Sequence, residues 1–195
     1  MKTFLVTAFM VAMAKAWSIN GHLLVAGIAE RLLQDKAPAS LSKANELLDE
    51  LTIYQSGLTW REDQHAFVEC ATFADDWKYS GHSWQSQYHY VNIPWYDEGS
   101  ESDYNFLPKA KNLTDGTVQI VAWLSGKQGD GYKDGYIYEY LMSKYDGNEP
   151  VAKSYAFRML IHQVGDMMQP LHAMQRYTSD YPTGDNGGNR FSLKS

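Results

Sequence analysis

Ile161-His162-Gln163-Val164-Gly165-Asp166-Met167-Met168-Gln169-Pro170-Leu171-His172 sets three metal-ligand side chains on a stretch whose local structure follows from spacing. Residues four apart share a helix face, so His162 and Asp166 can reach one ion. Pro170 removes a backbone donor and crowds the turn before it, so the helix bends or ends there and His172 points toward a different ion. The strip is built for more than one metal. Apolar periodicity from Ala152 to Met168 predicts a long helix beneath it.

Outward from this strip the pattern stays helical. His22 to Leu33 carries an apolar stripe at Val25, Ala26, Ile28, Ala29, Leu32 and Leu33, with Glu30 and Arg31 outside it. Ser40 or Ser42 can cap a second helix through Leu47, Leu48 and Leu51. Further helices are predicted over Glu62 to Tyr79, Thr114 to Leu124 and Tyr136 to Tyr145. Tyr88 to Pro94 is apolar and aromatic enough for a short strand, yet no partner strand stands out. Thr183 to Asn189 is a turn-rich loop. The reading is an all-α fold: one mainly helical domain without internal repeats.

Composition bounds what this domain does. The first sixteen residues read as a secretory leader, with Lys2, the apolar run Phe4 to Met13 and the small-x-small site Ala14-Lys15-Ala16. That run is too short to span a bilayer, and no membrane anchor is visible elsewhere. A mature chain over residues 17–195, secreted or held in the lumen of a secretory or lysosome-like compartment, is expected. The sequon Asn112-Leu113-Thr114 supplies a candidate glycosylation site at Asn112. Lysine plus arginine number 17 against 23 acidic residues, a formal charge of −6, so broad electrostatic attraction to nucleic acid or anionic lipid is excluded. Phosphate affinity must come from local sources such as metal ions. Cys70 is the single cysteine, which excludes an intrachain disulfide framework within these 195 residues, and its apolar neighbours Phe67, Val68, Ala71 and Phe73 predict burial.

Four of the six histidines fall into ligand-like patterns: His22 near Trp17, His89 after Asp75, and His162 and His172 around Asp166. His65 and His82 lack such company and read as surface or structural residues. In these patterns the chain resembles the zinc-dependent nuclease I family, the mung-bean-type nucleases that prefer single strands and share their fold with bacterial zinc phospholipases C. The resemblance starts with Trp17-Ser-Ile-Asn-Gly-His22 and continues through Ala74-Asp75-Asp76-Trp77-Lys78 and His89-Tyr90-Val91-Asn92. It then takes in His162-x3-Asp166-x5-His172 and the loop Gly184-Asp185-Asn186-Gly187-Gly188-Asn189.

The resemblance implies a zinc ion held by Asp75, His89, His162 and Asp166. A second is implied on Trp17, His22 and the shared Asp166, with Trp17 giving its α-amino nitrogen and carbonyl oxygen. Water activated between the pair is the implied nucleophile, and Lys78 stabilises charge on the phosphate beside Asp75. Tyr90 and Asn92, with Gly188 and Asn189, correspond to positions that bind a splayed base.

Three zinc ions are expected in the family, and two are fully liganded by this chain. The third would use His172 and a later His-x3-Asp pair, which does not occur before Ser195, so the nuclease domain reads as incomplete at its C-terminus. The expected activity is hydrolysis of single-stranded DNA and RNA to 5′-phosphorylated products, with 3′-nucleotidase action. Nucleic acids and nucleotides are the expected partners, and no protein partner is predicted. The alternatives are a zinc phospholipase C and an inactive remnant that binds metal or nucleic acid.

Overall fold

The computed structural model describes residues 19–104, 111–126, 135–188 and 190. Among these are seven α-helices: α1 (Ile19–Lys36), α2 (Pro38–Tyr54), α3 (Ala66–Glu69), α4 (Phe73–Trp77), α5 (Leu113–Ser125), α6 (Tyr136–Lys144) and α7 (Glu149–Met167). Two short strands, β1 (Ile93–Tyr96) and β2 (Met174–Tyr177), pair in parallel. The fold is all-α apart from this ribbon. No helix among the described residues is long and apolar enough to cross a membrane.

α7 is the axis of the molecule. It begins where the Asn148 side chain accepts from the Val151 amide, with Glu149 favourably placed at the positive end of the helix dipole. Twelve of its 19 residues are buried, because α1, α2, α5 and α6 all pack on it. On one side Tyr155 and Met159 join Ile120, Trp123, Ile137 and Leu141. On the other, Ile161 meets Ala26, Leu41, Leu48, Phe67 and Ala71. A helix covered on nearly every side must satisfy its polar residues internally. Arg158, fully buried, does so: it donates to both carboxylate oxygens of Glu62 at 2.7 and 2.6 Å, and also to Ser154, Thr52 and the Leu48 carbonyl.

Several boundaries differ from the sequence reading for local reasons. α2 starts at Pro38 with no side-chain cap, and Ser40 and Ser42 lie within it; the Ser42 hydroxyl bonds Glu46 instead. The helix predicted over Glu62 to Tyr79 is broken into α3, a 3₁₀ turn over Cys70–Thr72 and α4. It starts late because the Glu69 carboxylate accepts the amides of Asp63 and His65, holding that segment as a turn. The predicted strand shifts to Ile93–Tyr96, since Tyr88 and His89 close a 3₁₀ helix over Ser83–His89. Its partner, β2, lies about eighty residues downstream, with Ile93 opposite Met174 and Tyr96 opposite Tyr177. Cys70 is buried, as predicted, and Asn112 caps α5 by accepting from the Asp115 amide at 3.0 Å.

Candidate metal centre

Helix spacing places His162 one turn before Asp166 on the inner face of α7, both fully buried. α4 brings Asp75 to them, the end of the 3₁₀ helix Ser83–His89 brings His89, α1 brings His22, and a 3₁₀ turn over Pro170–His172 brings His172. Pro170 does end the helix, as the sequence implied. His172 nevertheless stays beside Asp166.

The two carboxylate oxygens of Asp166 face different partners. Oδ2 lies 3.1 Å from His89 Nδ1 and 3.2 Å from His162 Nε2. Oδ1 lies 3.1 Å from His172 Nδ1 and 3.5 Å from His22 Nε2. Around Oδ2 the set is completed by Asp75, whose Oδ1 is 3.6 Å from His89 Nδ1 and 3.7 Å from His162 Nε2; those two nitrogens are 3.0 Å apart. A tetrahedral zinc site with bonds of 2.0–2.1 Å has ligand-to-ligand edges of about 3.3 Å. The five separations cluster around that length.

The histidines are oriented from behind. His162 Nδ1 donates to the Ala71 carbonyl at 2.6 Å, which leaves Nε2 with its lone pair toward the cluster. Since Nδ1 is occupied, His162 can serve one ion only, although His22, His162 and Asp166 also lie within 4.8 Å of one another. The His22 and His162 rings stack at 3.9 Å. That approach is possible because position 165 is glycine: a Cβ there would lie 2.3 Å from His22 Nδ1.

Burial and mutual attraction compete at this cluster. Burial and the neighbouring His162 lower His22 to about 4, and burial also lowers His89. Burial alone would lower His162 and raise Asp166, but their attraction wins: His162 is raised, and Asp166 is held well below the usual carboxylate range by His162, His172 and His89. Both Asp166 oxygens and His172 Nδ1 are buried without a well-formed hydrogen bond. Unpaired acceptors converging in a buried space are what a cation would satisfy. Lys78 adds positive charge at the edge, its ammonium 2.7 Å from Asp75 Oδ1.

A family model described as S1/P1 nuclease matches residues 17–195, nearly the whole chain. The chain belongs to the S1/P1 nuclease family. It is therefore a nuclease by family, a hydrolase whose substrates are nucleic acids. Comparisons with curated proteins and with solved structures give no match.

Within this S1/P1 family fold, the parallel ribbon joins the remaining residues to the candidate metal centre. The Val91 amide donates to the His172 carbonyl at 2.9 Å, and Ile93 donates to Ala173 at 2.9 Å. Tyr90 is thereby set against His172, ring centres 4.4 Å apart. Asn92 is held at φ 58°, a left-handed conformation that asparagine tolerates better than most residues, and its Oδ1 is buried without a partner. Gly187 and Gly188 close over Leu171: Cβ atoms there would lie 2.7 Å from the Leu171 carbonyl and 2.8 Å from its side chain, and Gly187 also borders Tyr90.

Trp17 and Asn189 lie outside the described residues. Of the two histidines set aside by the sequence, His65 is exposed, while His82 is buried with Nδ1 2.8 Å from the Tyr155 hydroxyl. Sequence reasoning missed the spacing role of Gly165 and the orienting Ala71 carbonyl. A glycine inside a helical pattern is a signal of close approach; a backbone carbonyl leaves no signal.

Proposed function

We propose that this chain is a zinc-dependent endonuclease of the secretory pathway. It hydrolyses single-stranded DNA and RNA to 5′-phosphorylated products and also acts on 3′-nucleotides. The observation carrying the reading is the split of Asp166 between two ligand sets, one with separations suited to tetrahedral zinc. Asp75, His89, His162 and Asp166 would hold one ion; His22, Asp166 and the α-amino and carbonyl groups of Trp17 would hold the second. Zinc at these positions supplies Lewis acidity and hydroxide near neutral pH.

The chain's own residues do the rest. Lys78, fixed by Asp75, neutralises charge on the phosphate. Tyr90 offers a ring for one base, and Asn92, two residues on, is the side chain assigned to that base's edge. Gly188 lies beside Leu171 at the edge of this base site, Asn189 is assigned to it from the sequence alone, and His172 orients Asp166 and Tyr90 together. The leader-like residues 1–16 support secretion. The Asn112 cap engages Oδ1 and leaves Nδ2, the atom a glycan modifies, outside that bond.

Base contacts need an unstacked nucleotide, and extracting one from a duplex costs a few kcal/mol. The test measures hydrolysis of denatured DNA, duplex DNA and phosphatidylcholine by one zinc-loaded preparation at matched salt. Denatured DNA should be cut at least about tenfold faster than duplex, with phosphatidylcholine untouched. Equal rates on the two DNA forms, or preferential lipid hydrolysis, overturn the reading.

A further inference from the structure

For His89 to offer a metal the Nδ1 lone pair, its proton must sit on Nε2, and a buried ring N–H needs an acceptor. His89 is buried, and Nδ1 is the nitrogen that faces Asp166, His162 and Asp75. His89 also lines a narrow interior space with Gln85, Tyr88, His162 and Gln163, too tight for a water molecule. The polar groups around it must therefore serve one another. His162 is engaged at both nitrogens, by the Ala71 carbonyl and by the cluster. Gln85 is engaged at both ends of its amide: Nε2 donates to the Ala74 carbonyl and Oε1 accepts from the Tyr155 hydroxyl.

Gln163 has one end to spare. Its amide meets Thr117 Oγ1 at 3.2 Å on one side. The other side is buried without a partner next to Tyr88: a Cβ on Gly116 would lie 2.9 Å from that amide atom and 2.6 Å from Tyr88 Cδ1. A proton count decides which end is which. Thr117 has one hydroxyl proton, and the Leu113 carbonyl takes it at 2.8 Å, so Thr117 turns a lone pair toward Gln163. The structure draws Oε1 on that side, which sets two acceptors together and buries an unpartnered Nε2. The two ends of an amide fill the same space, and exchanging them removes both faults.

We propose that Gln163 is a positioning residue for the metal centre: with Nε2 donating to Thr117, its Oε1 accepts the His89 Nε2–H and keeps Nδ1 free for the ion. This rests on the metal-centre reading above and adds what fixes the tautomer of His89. The Tyr88 hydroxyl, also buried without a partner, is the rival acceptor.

Two readouts on the full chain test this: zinc affinity by competition with a chromophoric chelator at fixed pH, and the imidazole N–H signals of zinc-loaded protein carrying isotope-labelled histidine. Gln163→Met keeps the side chain's length and removes the acceptor, so it should weaken the binding of one zinc about 10–100-fold, as loss of an outer partner of a ligand histidine does. Gln163→Glu keeps an acceptor and should bind zinc at least as tightly as wild type, and Tyr88→Phe should leave affinity unchanged. A role in packing alone would not separate Gln163→Met from Gln163→Glu. In wild type the His89 signal should be an Nε2–H slow to exchange with water.

Unchanged zinc affinity in Gln163→Met, an equal fall in Gln163→Glu, or a fall in Tyr88→Phe overturns the proposal. So does a zinc-loaded wild type with His89 protonated on Nδ1, a result that needs no variant to fold. A wild type that takes up no zinc rejects the metal-centre reading, and the proposal with it.

Discussion

Gly165 sits inside α7, where alanine would ordinarily stabilise the helix by about 1 kcal/mol. The adjacent His22 reverses that preference. A Cβ 2.3 Å from Nδ1 forces the ring away, and overpacking of this kind costs about 1–3 kcal/mol. Because His22 faces Asp166 Oδ1, its displacement should dismantle one ligand set and spare the other. Gly165→Ala is expected to bind about one zinc fewer per chain, read by elemental analysis of folded protein. Full zinc content would mean that His22 is not a ligand. At this scale the sequence was informative: the i, i+4 spacing that brings His162 and Asp166 together was visible in it. What it hid was contact between distant residues, such as the Ala71 carbonyl that sets the His162 tautomer.

At the level of elements, Asp75 depends on a helix of five residues, too short to be stable alone. α4 is pinned from several directions. Trp77 donates to the Leu58 carbonyl at 2.8 Å, Arg61 pairs with Asp76 at 3.0 Å, and Gln85 donates to the Ala74 carbonyl at 3.2 Å. Gln85 also accepts from the Tyr155 hydroxyl, which contacts His82 Nδ1, so a buried polar chain runs from His82 through α7 to α4.

Burial, then the Lys144 charge, lowers His82 from 6.5 to about 4. Trp77 and Tyr155 cover its ring, and neither offers a carboxylate. A depressed histidine stabilises the fold above its unfolded pKa, and that contribution is lost as pH falls from about 6.5 through 4. In EDTA, the melting temperature of the wild type should fall more steeply over this window than that of His82→Gln, which keeps a hydrogen-bonding group but does not titrate. Parallel curves would exclude His82 from the acid response. The polar chain and the β1–β2 pairing were illegible in sequence for one reason: their partners are far apart along the chain, and Met-Gln-Arg-Tyr carries little strand signature.

The whole molecule assembles its centre around one helix. Fold class was legible because apolar periodicity marks long helices well, and α1, α5, α6 and α7 all formed close to where it placed them. The net charge of −6 was also informative, since it argues against broad electrostatic attraction to phosphate and, on the proposed function, leaves that task to Lys78 and to bound cations. Asp166 is the point where most of the cluster meets: it receives α1 and the Pro170–His172 turn on one oxygen and the His89 and His162 nitrogens on the other, and Asp75 joins through those two nitrogens. The most direct measurement is therefore the zinc content of folded Asp166→Asn beside wild type, both beginning at Trp17, with helicity verified by circular dichroism. Loss of one carboxylate shared by two sets should remove more than one zinc equivalent per chain, and cleavage of denatured DNA with it. A folded Asp166→Asn protein that retains the wild-type zinc content would contradict the account.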